Sequence, residues 1–419
     1  VDNPGIQFKL AGNWKPDQSD PLGTVDLNAS ISSLSASQLH QYLTPVTDDD
    51  TRLWLKTALT KGQFSQLTFA MKGGLSHVPF NQPTDSGLFK LSGQFNNLTI
   101  DYAPPHANDL GWPALKDAAG QINLDKLDLS LQLDQATLLG AKGEQVGVQS
   151  LKANIPDMML KPVLSIQAAT ADNAKDYIGM LRYTPLNSAA GELFDQLYAN
   201  GVWTVPLDLL IDLQNPNDAK VKGQILFNGS ALGMGDDFPR LENIQGTLDF
   251  ANTVFKAQDI SARFLGGDVS ISGIVGEPGG KISIEGQAIV DGVREYANVP
   301  ALSVLKGRTQ YRAQIAQNNR DGLDVSLNTA LEGLEVNLPS PIGKVAATKM
   351  PLSLRWSTQK VRKDTRHSVN FSLSDVLNAR LEKAAGVRSK SFFTNGAITM
   401  GSQAELPPKG MSVALSLED

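Results

Sequence analysis

Along "LDKLDLSLQLD" (Leu124–Asp134), Leu127, Leu129, Leu131 and Leu133 alternate with Asp128, Ser130, Gln132 and Asp134. Successive side chains of a strand point to opposite faces, so the segment predicts one apolar wall and one wet wall. The pattern returns at Leu248 and Phe250 in "GTLDFAN", Val269 and Ile271 in "GGDVSISG", and Ile282 and Ile284 in "KISIEG". It continues through Leu323, Val325 and Leu327, then Leu352, Leu354 and Trp356, and last Val413, Leu415 and Leu417. Gly, Asn, Asp and Pro punctuate these runs at short intervals, as in "QNPNDAK" and "GEPGGK". Such spacing predicts roughly twenty strands, mostly antiparallel and joined by hairpins.

A few helices interrupt the alternation. "DDDTRLWLKTALTKG" opens on acids, places Leu55 and Leu59 one turn apart, and reaches Gly62. "NAKDYIGML" gathers Ala174, Tyr177, Ile178 and Leu181 on one face, and "GELFDQLYANG" does the same with Leu193, Phe194, Leu197 and Tyr198. "DGVREYANVPALSVLKG" reads as helix-turn-helix. Three of these segments end on "LTKG", "YANG" and "VLKG", which puts Gly62, Gly201 and Gly307 just past a helix end. Each glycine is followed by a strand with an early aromatic: Phe64, Trp203 and Tyr311.

A longer repetition runs through the middle of the chain. Trp112–Gly140 aligns without gaps on residues 238–266, an offset of 126, with seven identities in 29 positions. Pro113 and Pro239, Leu115 and Leu241, Gly120 and Gly246, and Gly140 and Gly266 coincide. Repeats of this kind stack on their neighbours in open architectures. The expected organisation is therefore a partial β unit over 1–62, β-groove units over 63–200 and 201–306, and a truncated one over 307–419. The helices are too few to roof so many strands. The fold class is mainly β: an elongated, twisted antiparallel sheet curled into an open apolar groove, with a few short helices.

Composition narrows the function. Hydrophobic residues make up 41% of 419, while aromatics are only 6%, so the apolar content is largely aliphatic. A net charge of −6 argues against a nucleic-acid surface carried by bulk charge. There is no cysteine, hence no disulfide and no thiolate metal site. The four histidines, His40, His77, His106 and His367, show no metal-ligand spacing. "GMGDD" lacks the third glycine of a phosphate loop, and "GGLSH" is no nucleophile elbow. The expectation is no enzyme, no cofactor and no metal. Within "RWSTQKVRKDTRH", Arg355, Lys360, Arg362, Lys363, Arg366 and His367 form a basic run. The plain reading is a solvated hairpin; the sharper one is a contact to anionic lipid headgroups or an acidic partner surface.

Several phrases resemble the YhdP branch of the AsmA-like family of bacterial envelope proteins. They are "QYLTPVTDDDTRLWLKTALTKGQF", "HVPF", "GLFKLSGQFNNLTIDYAP" and "GWPALKDAAGQINL", then "FPRLENIQGTLDF" with "ISARFLGGDVSISG", and "LEVNLPSPIGKVAATKMPLSLRW". Together they span roughly residues 40 to 356, and the chain reads as the central portion of such a protein. The resemblance implies a repeating β-groove anchored in the inner membrane by a part of the parent chain outside this sequence. It implies a periplasmic location in a Gram-negative envelope and transport of phospholipids toward the outer membrane. The implied partners are phospholipid acyl chains, the membranes at the ends of the parent chain, and unidentified envelope proteins, with no nucleic acid. On that reading the lining candidates are Leu127, Leu129, Leu131, Leu133, Leu248, Phe250, Val269, Ile271, Ile282 and Ile284. The alternative is a structural or adhesion module with a closed core and no lipid. A closed core would make Val269→Glu unfold, whereas an open face would leave it folded.

Overall fold

The computed structural model describes residues 2–3, 5–43, 49–103, 110–189, 192–215, 218–235, 239–296, 300–318, 322–361, 364–383, 393–401 and 404–414. The chain divides into two compact units, Val1–Ile225 and Leu226–Asp419. Both are mainly β, with 24 strands among the described residues. The strand β12 (Lys220–Met234) carries the division.

In the first unit the strands are β1 (Asp2–Asn3), β2 (Ile6–Asp17), β3 (Asp20–Ser35), β4 (Leu59–Gly74), β5 (Leu88–Ile100), β6 (Ala114–Asp125), β7 (Asp128–Leu139), β8 (Gln145–Ile155), β9 (Val163–Asn173), β10 (Leu197–Asn200) and β11 (Val202–Asp212). From β1 to β9 each strand pairs antiparallel with the next, and β9 then pairs with β11. No described pairing leads from β11 back to β1 or β2, so this meander is open. The helices α1 (Asp49–Ala58), α2 (Ala174–Arg182), α3 (Pro185–Ala189) and α4 (Leu193–Gln196) lie in the connections.

The second unit continues the same plan. Its strands are β13 (Leu241–Ala251), β14 (Val254–Phe264), β15 (Gly267–Val275), β16 (Lys281–Ile289), β17 (Leu305–Gln317), β18 (Leu323–Thr329), β19 (Leu334–Val336), β20 (Leu352–Val361), β21 (Asp364–Leu373), β22 (Leu377–Lys383), β23 (Asn395–Met400) and β24 (Gly410–Ala414). One helix, α5 (Val290–Tyr296), precedes β17. The ladder runs antiparallel from β13 through β18 to β20 and on to β23. The β23–β24 pair is parallel.

Strict alternation fails once in several strands, for one physical reason. Phe64 and Leu67, Phe95 and Leu98, Leu133 and Ala136, and Ala257 and Ile260 are all buried, yet stand three residues apart. At each place the ladder shifts register. The extra residue is a β-bulge, and it returns the next apolar side chain to the same face while bending the strand. Gln66, Asn97 and Asp259 take the positive φ that three of these bulges need. The aligned repeat carries its bulge with it. Asp117 and Asn243, 126 residues apart, have φ of 52° and 51°, with register shifts between Lys116 and Ala119 and between Glu242 and Gln245.

Two helix readings need correction. The segment expected to be helical from Glu192 to Asn200 gives only α4 and then turns into β10. The guanidinium of Arg182 explains the break. Its Nε and Nη2 donate to the carbonyls of Phe194 and Leu197 at 2.8 and 2.6 Å, which a continuing helix would give to its own amides. The second half of the expected helix-turn-helix is a short 3-10 turn, Pro300–Val304, and Arg294 likewise donates to Leu302 and Leu305 O. Nor do Gly62, Gly201 and Gly307 cap helices: α1 ends at Ala58, and Gly62 already lies within β4. Their φ values of 104°, 91° and 100° serve strand geometry instead. A Cβ on Gly62 would come within 2.6 Å of Asn97 O on the neighbouring strand.

Candidate functional site

Following the ladder across the strands reveals what the alternating residues build. In the first unit one row reads Ile122, Leu131, Ala153, Ile166 and Leu209, and the next reads Gly120, Leu133, Leu151, Ala168 and Leu207. A third passes from Leu91 through Leu124 and Leu129 to Ile155. Nearer the N-terminus, Ile6, Leu34, Phe64 and Phe95 face one another in turn, with the two rings edge-on at 6.2 Å. These rows lie on one face and form one continuous apolar wall.

Burial along that wall is graded. At the end that receives α2 it is closed: Val148, Ala174 and Ile178 are buried. There Tyr177 donates to Thr170 Oγ1 at 2.8 Å and lies 5.9 Å from the Trp203 ring. Burial pushes the Tyr177 phenol up to about 12. Away from this end, Leu91, Ile122, Leu124, Leu129, Leu131, Ile155, Ile166, Leu207 and Leu209 are only half-buried. The opposite face is wet, with Asp128 and Gln132 exposed.

The second unit repeats the arrangement. One row runs from Leu248 through Ala257, Gly273, Ile282, Ile315, Val325, Trp356 and Val369 to Leu381. The next joins Ile260, Ile271, Ile284, Ala313, Leu327, Leu354, Phe371, Ala379 and Ile398. Tyr311 sits at the closed end opposite Gly286, its buried hydroxyl without a hydrogen-bond partner and its phenol pushed up to about 12 by burial.

Nine of the ten lining candidates fall on the apolar face of their own unit, Leu127 lying in a turn outside the ladder, and the ten divide by exposure. Leu129, Leu131, Leu248, Phe250, Ile271, Ile282 and Ile284 are half-buried. Leu133 and Val269, each 3% exposed, are packed into the closed end, and Leu127 is buried in the β6–β7 turn, where its carbonyl accepts from Met158 N. Val269→Glu consequently probes packing whichever reading holds. Ile271 is the position that discriminates between an open face and a closed core. Strand alternation alone overlooked Ile122, Ile166, Leu209, Phe371, Leu381 and Ile398, whose assignment needs the register of the neighbouring strand.

The basic run forms the β20–β21 hairpin, whose two faces separate its charges. Arg355 and Arg366 point to the wet face, where Arg366 and Arg380 both engage Glu382, at 3.1 and 3.4 Å. Lys360 lies on the wall side near the hairpin tip, paired with Thr365. Arg362 and Lys363 fall outside the described residues. Among the described residues no group of His, Asp or Glu is placed to hold a metal ion. His77 pairs with Asp85 at 3.2 Å, and His367 accepts from Trp356 Nε1 at 3.3 Å.

The whole chain, residues 1–419, matches the family described as YhdP protein. The chain belongs to the YhdP family. No curated protein and no solved structure matches it. The YhdP family is AsmA-like, envelope-associated and of the lipid-transport type. Its match extends beyond the phrases that carried the resemblance. Among the described residues no helix is long and apolar enough to cross a membrane.

Proposed function

We propose that this chain is a non-catalytic segment of a periplasmic phospholipid conduit, in which acyl chains slide along the half-exposed apolar face of each unit. The observation that supports the reading most is the run of uninterrupted apolar rows across successive strands, closed at one end and half-open beyond it. A diacyl lipid in water exposes roughly thirty methylenes at about 0.8 kcal/mol each, a barrier on the order of 25 kcal/mol. A wall that covers the tails removes most of that cost. An open side leaves the headgroup hydrated and avoids desolvating its charge. Aliphatic lining suits sliding because it offers burial without directional bonds. In this reading the parent protein is anchored in the inner membrane and delivers lipid toward the outer membrane.

Site-specific photo-crosslinking in cells tests it. In the parent protein, a photoreactive residue at Ile271 captures phospholipid, while one at Ser270, exposed on the wet face, does not. Equal capture at both positions contradicts the proposal.

A further inference from the structure

We infer that the β4–β5 connection, residues 75–87, is a strap that shuts the open rim of the first unit over β4 and β5. Its latch is the Phe80 ring, which an acyl chain displaces as it enters there. The inference rests on the conduit reading and adds a device that controls access to one stretch of the wall.

Register places the latch on the apolar face. β3 and β4 pair without a shift from Ile31 and Leu67 to Thr24 and Gly74, so Leu67, Phe69, Met71 and Gly73 share the wall side. Lys72, between them, lies on the wet side in an ion pair with Asp26. On β5, Leu91 and Phe89 face Phe69 and Met71. Continuing that register sets Gly87 opposite Gly73, and a Cβ on Gly73 would stand 3.1 Å from Gly87 Cα. Phe80 fills the space the two glycines leave. A Cβ on Gly73 would come within 2.7 Å of its ring, and one on Gly87 within 2.1 Å. Burial along β4 therefore falls and rises again. Leu67 is buried, Phe69 and Met71 are half-buried, and beyond them the wall ends under Phe80, which is 1% exposed. On β6 and β7 the same rim carries Leu124 and Leu129, both half-buried.

The loop is built to move as one piece. Its outer surface is polar, with Ser76, His77, Asn81, Gln82, Thr84 and Ser86 exposed. Asp85 braces it from within: Oδ1 lies 3.2 Å from His77 Nδ1, and Oδ2 accepts from Gln82 N at 3.0 Å. Asp20 of β3 accepts from Ser76 N and Oγ at 3.2 and 2.7 Å, which ties the base of the loop to the sheet. Beyond that tie, Phe80 is the one buried residue of the loop. Its φ of 64° is a left-handed conformation that a bulky side chain avoids. The seated ring holds that strain, and lifting the ring releases it. Gly87, at the return to β5, supplies the backbone freedom of a hinge. A braced piece held to the wall by one ring has two states, ring seated and ring lifted. A tail favours the second, because it covers the apolar surface that the ring gives up.

The test places a photoreactive residue in the parent protein in cells, either at Met71, the wall position next to Gly73, or at Leu131, on β7 of the same wall. Phe80→Ala is expected to raise phospholipid capture at Met71 about threefold or more, since the apparent affinity regains the fraction lost to the shut state. Capture at Leu131 stays as it was. Unchanged or lower capture at Met71 makes Phe80 a plain anchor of its loop and overturns the inference. An equal rise at both positions marks general loosening and overturns it too. Hydrogen exchange on the purified wild-type chain needs no variant, so it decides the matter even if Phe80→Ala fails to fold. Loading with phosphatidylethanolamine from mild detergent should quicken exchange over residues 75–87; unchanged or slower exchange there overturns the strap alone. A wild type that captures no lipid at Met71 or Leu131, and takes none up when purified, overturns the conduit reading with it.

Discussion

Tyr311 shows how closely the apolar wall is built at its closed end. Its ring lies across from Gly286, where a Cβ would come within 2.7 Å of the phenol oxygen. The hydroxyl is buried without a partner, and a polar group left so costs folding energy. Tyr311→Phe should therefore leave stability unchanged or raise it, which thermal unfolding measures; a clear fall would contradict the orphaned hydroxyl. The ionisation sign is equally definite. A phenol at about 12 when folded and about 10 when unfolded contributes nothing unfavourable below pH 10. As pH rises from 10 to 12 the unfolded chain ionises first and stability falls. Tyr311→Phe should remove part of that alkaline loss, leaving the parts due to Tyr102 and Tyr177, whose phenols burial also pushes up to about 12.

At the scale of elements, the connections are held by arginines as much as by helix propensity. Arg182 and Arg294 each draw in carbonyls of a segment that follows their helix, and so decide where helix gives way to strand. Arg182→Met should lower stability by about 2–3 kcal/mol, the loss of charged hydrogen bonds to half-buried carbonyls, read from urea unfolding. A change within experimental error would mean the break at Leu197 has another cause. The same elements show what the sequence could and could not disclose. Leu129, Leu131, Ile271 and Ile284 were legible because a residue-by-residue alternation needs only the strand itself. Phe64 with Leu67 and Phe95 with Leu98 break that period, since a bulge inserts one residue that only the partner strand reveals. The helical periodicity of Leu193, Phe194, Leu197 and Tyr198 was real but was overridden by a distant guanidinium. Face assignment within the basic run depended likewise on the β20–β21 register, which sets Lys360 apart from Arg355 and Arg366.

At the scale of the molecule, both units share one construction: a meander whose apolar rows are sealed at one end and half-open beyond it. A protein needing only a core would cover those rows, because half-buried leucines leave favourable burial unused. The pattern recurs in both units, with a bulge repeated at Asp117 and Asn243, and the proposed conduit requires such a recurring apolar surface. Membership of the YhdP family fits that requirement, and the wall gives it a physical basis. Native mass spectrometry of the chain released from a bacterial envelope in mild detergent tests the central claim most directly. The account predicts phospholipid bound to the folded wild-type chain and its depletion in a folded Ile271→Glu variant. A lipid-free wild type, together with an Ile271→Glu variant that unfolds, would contradict it.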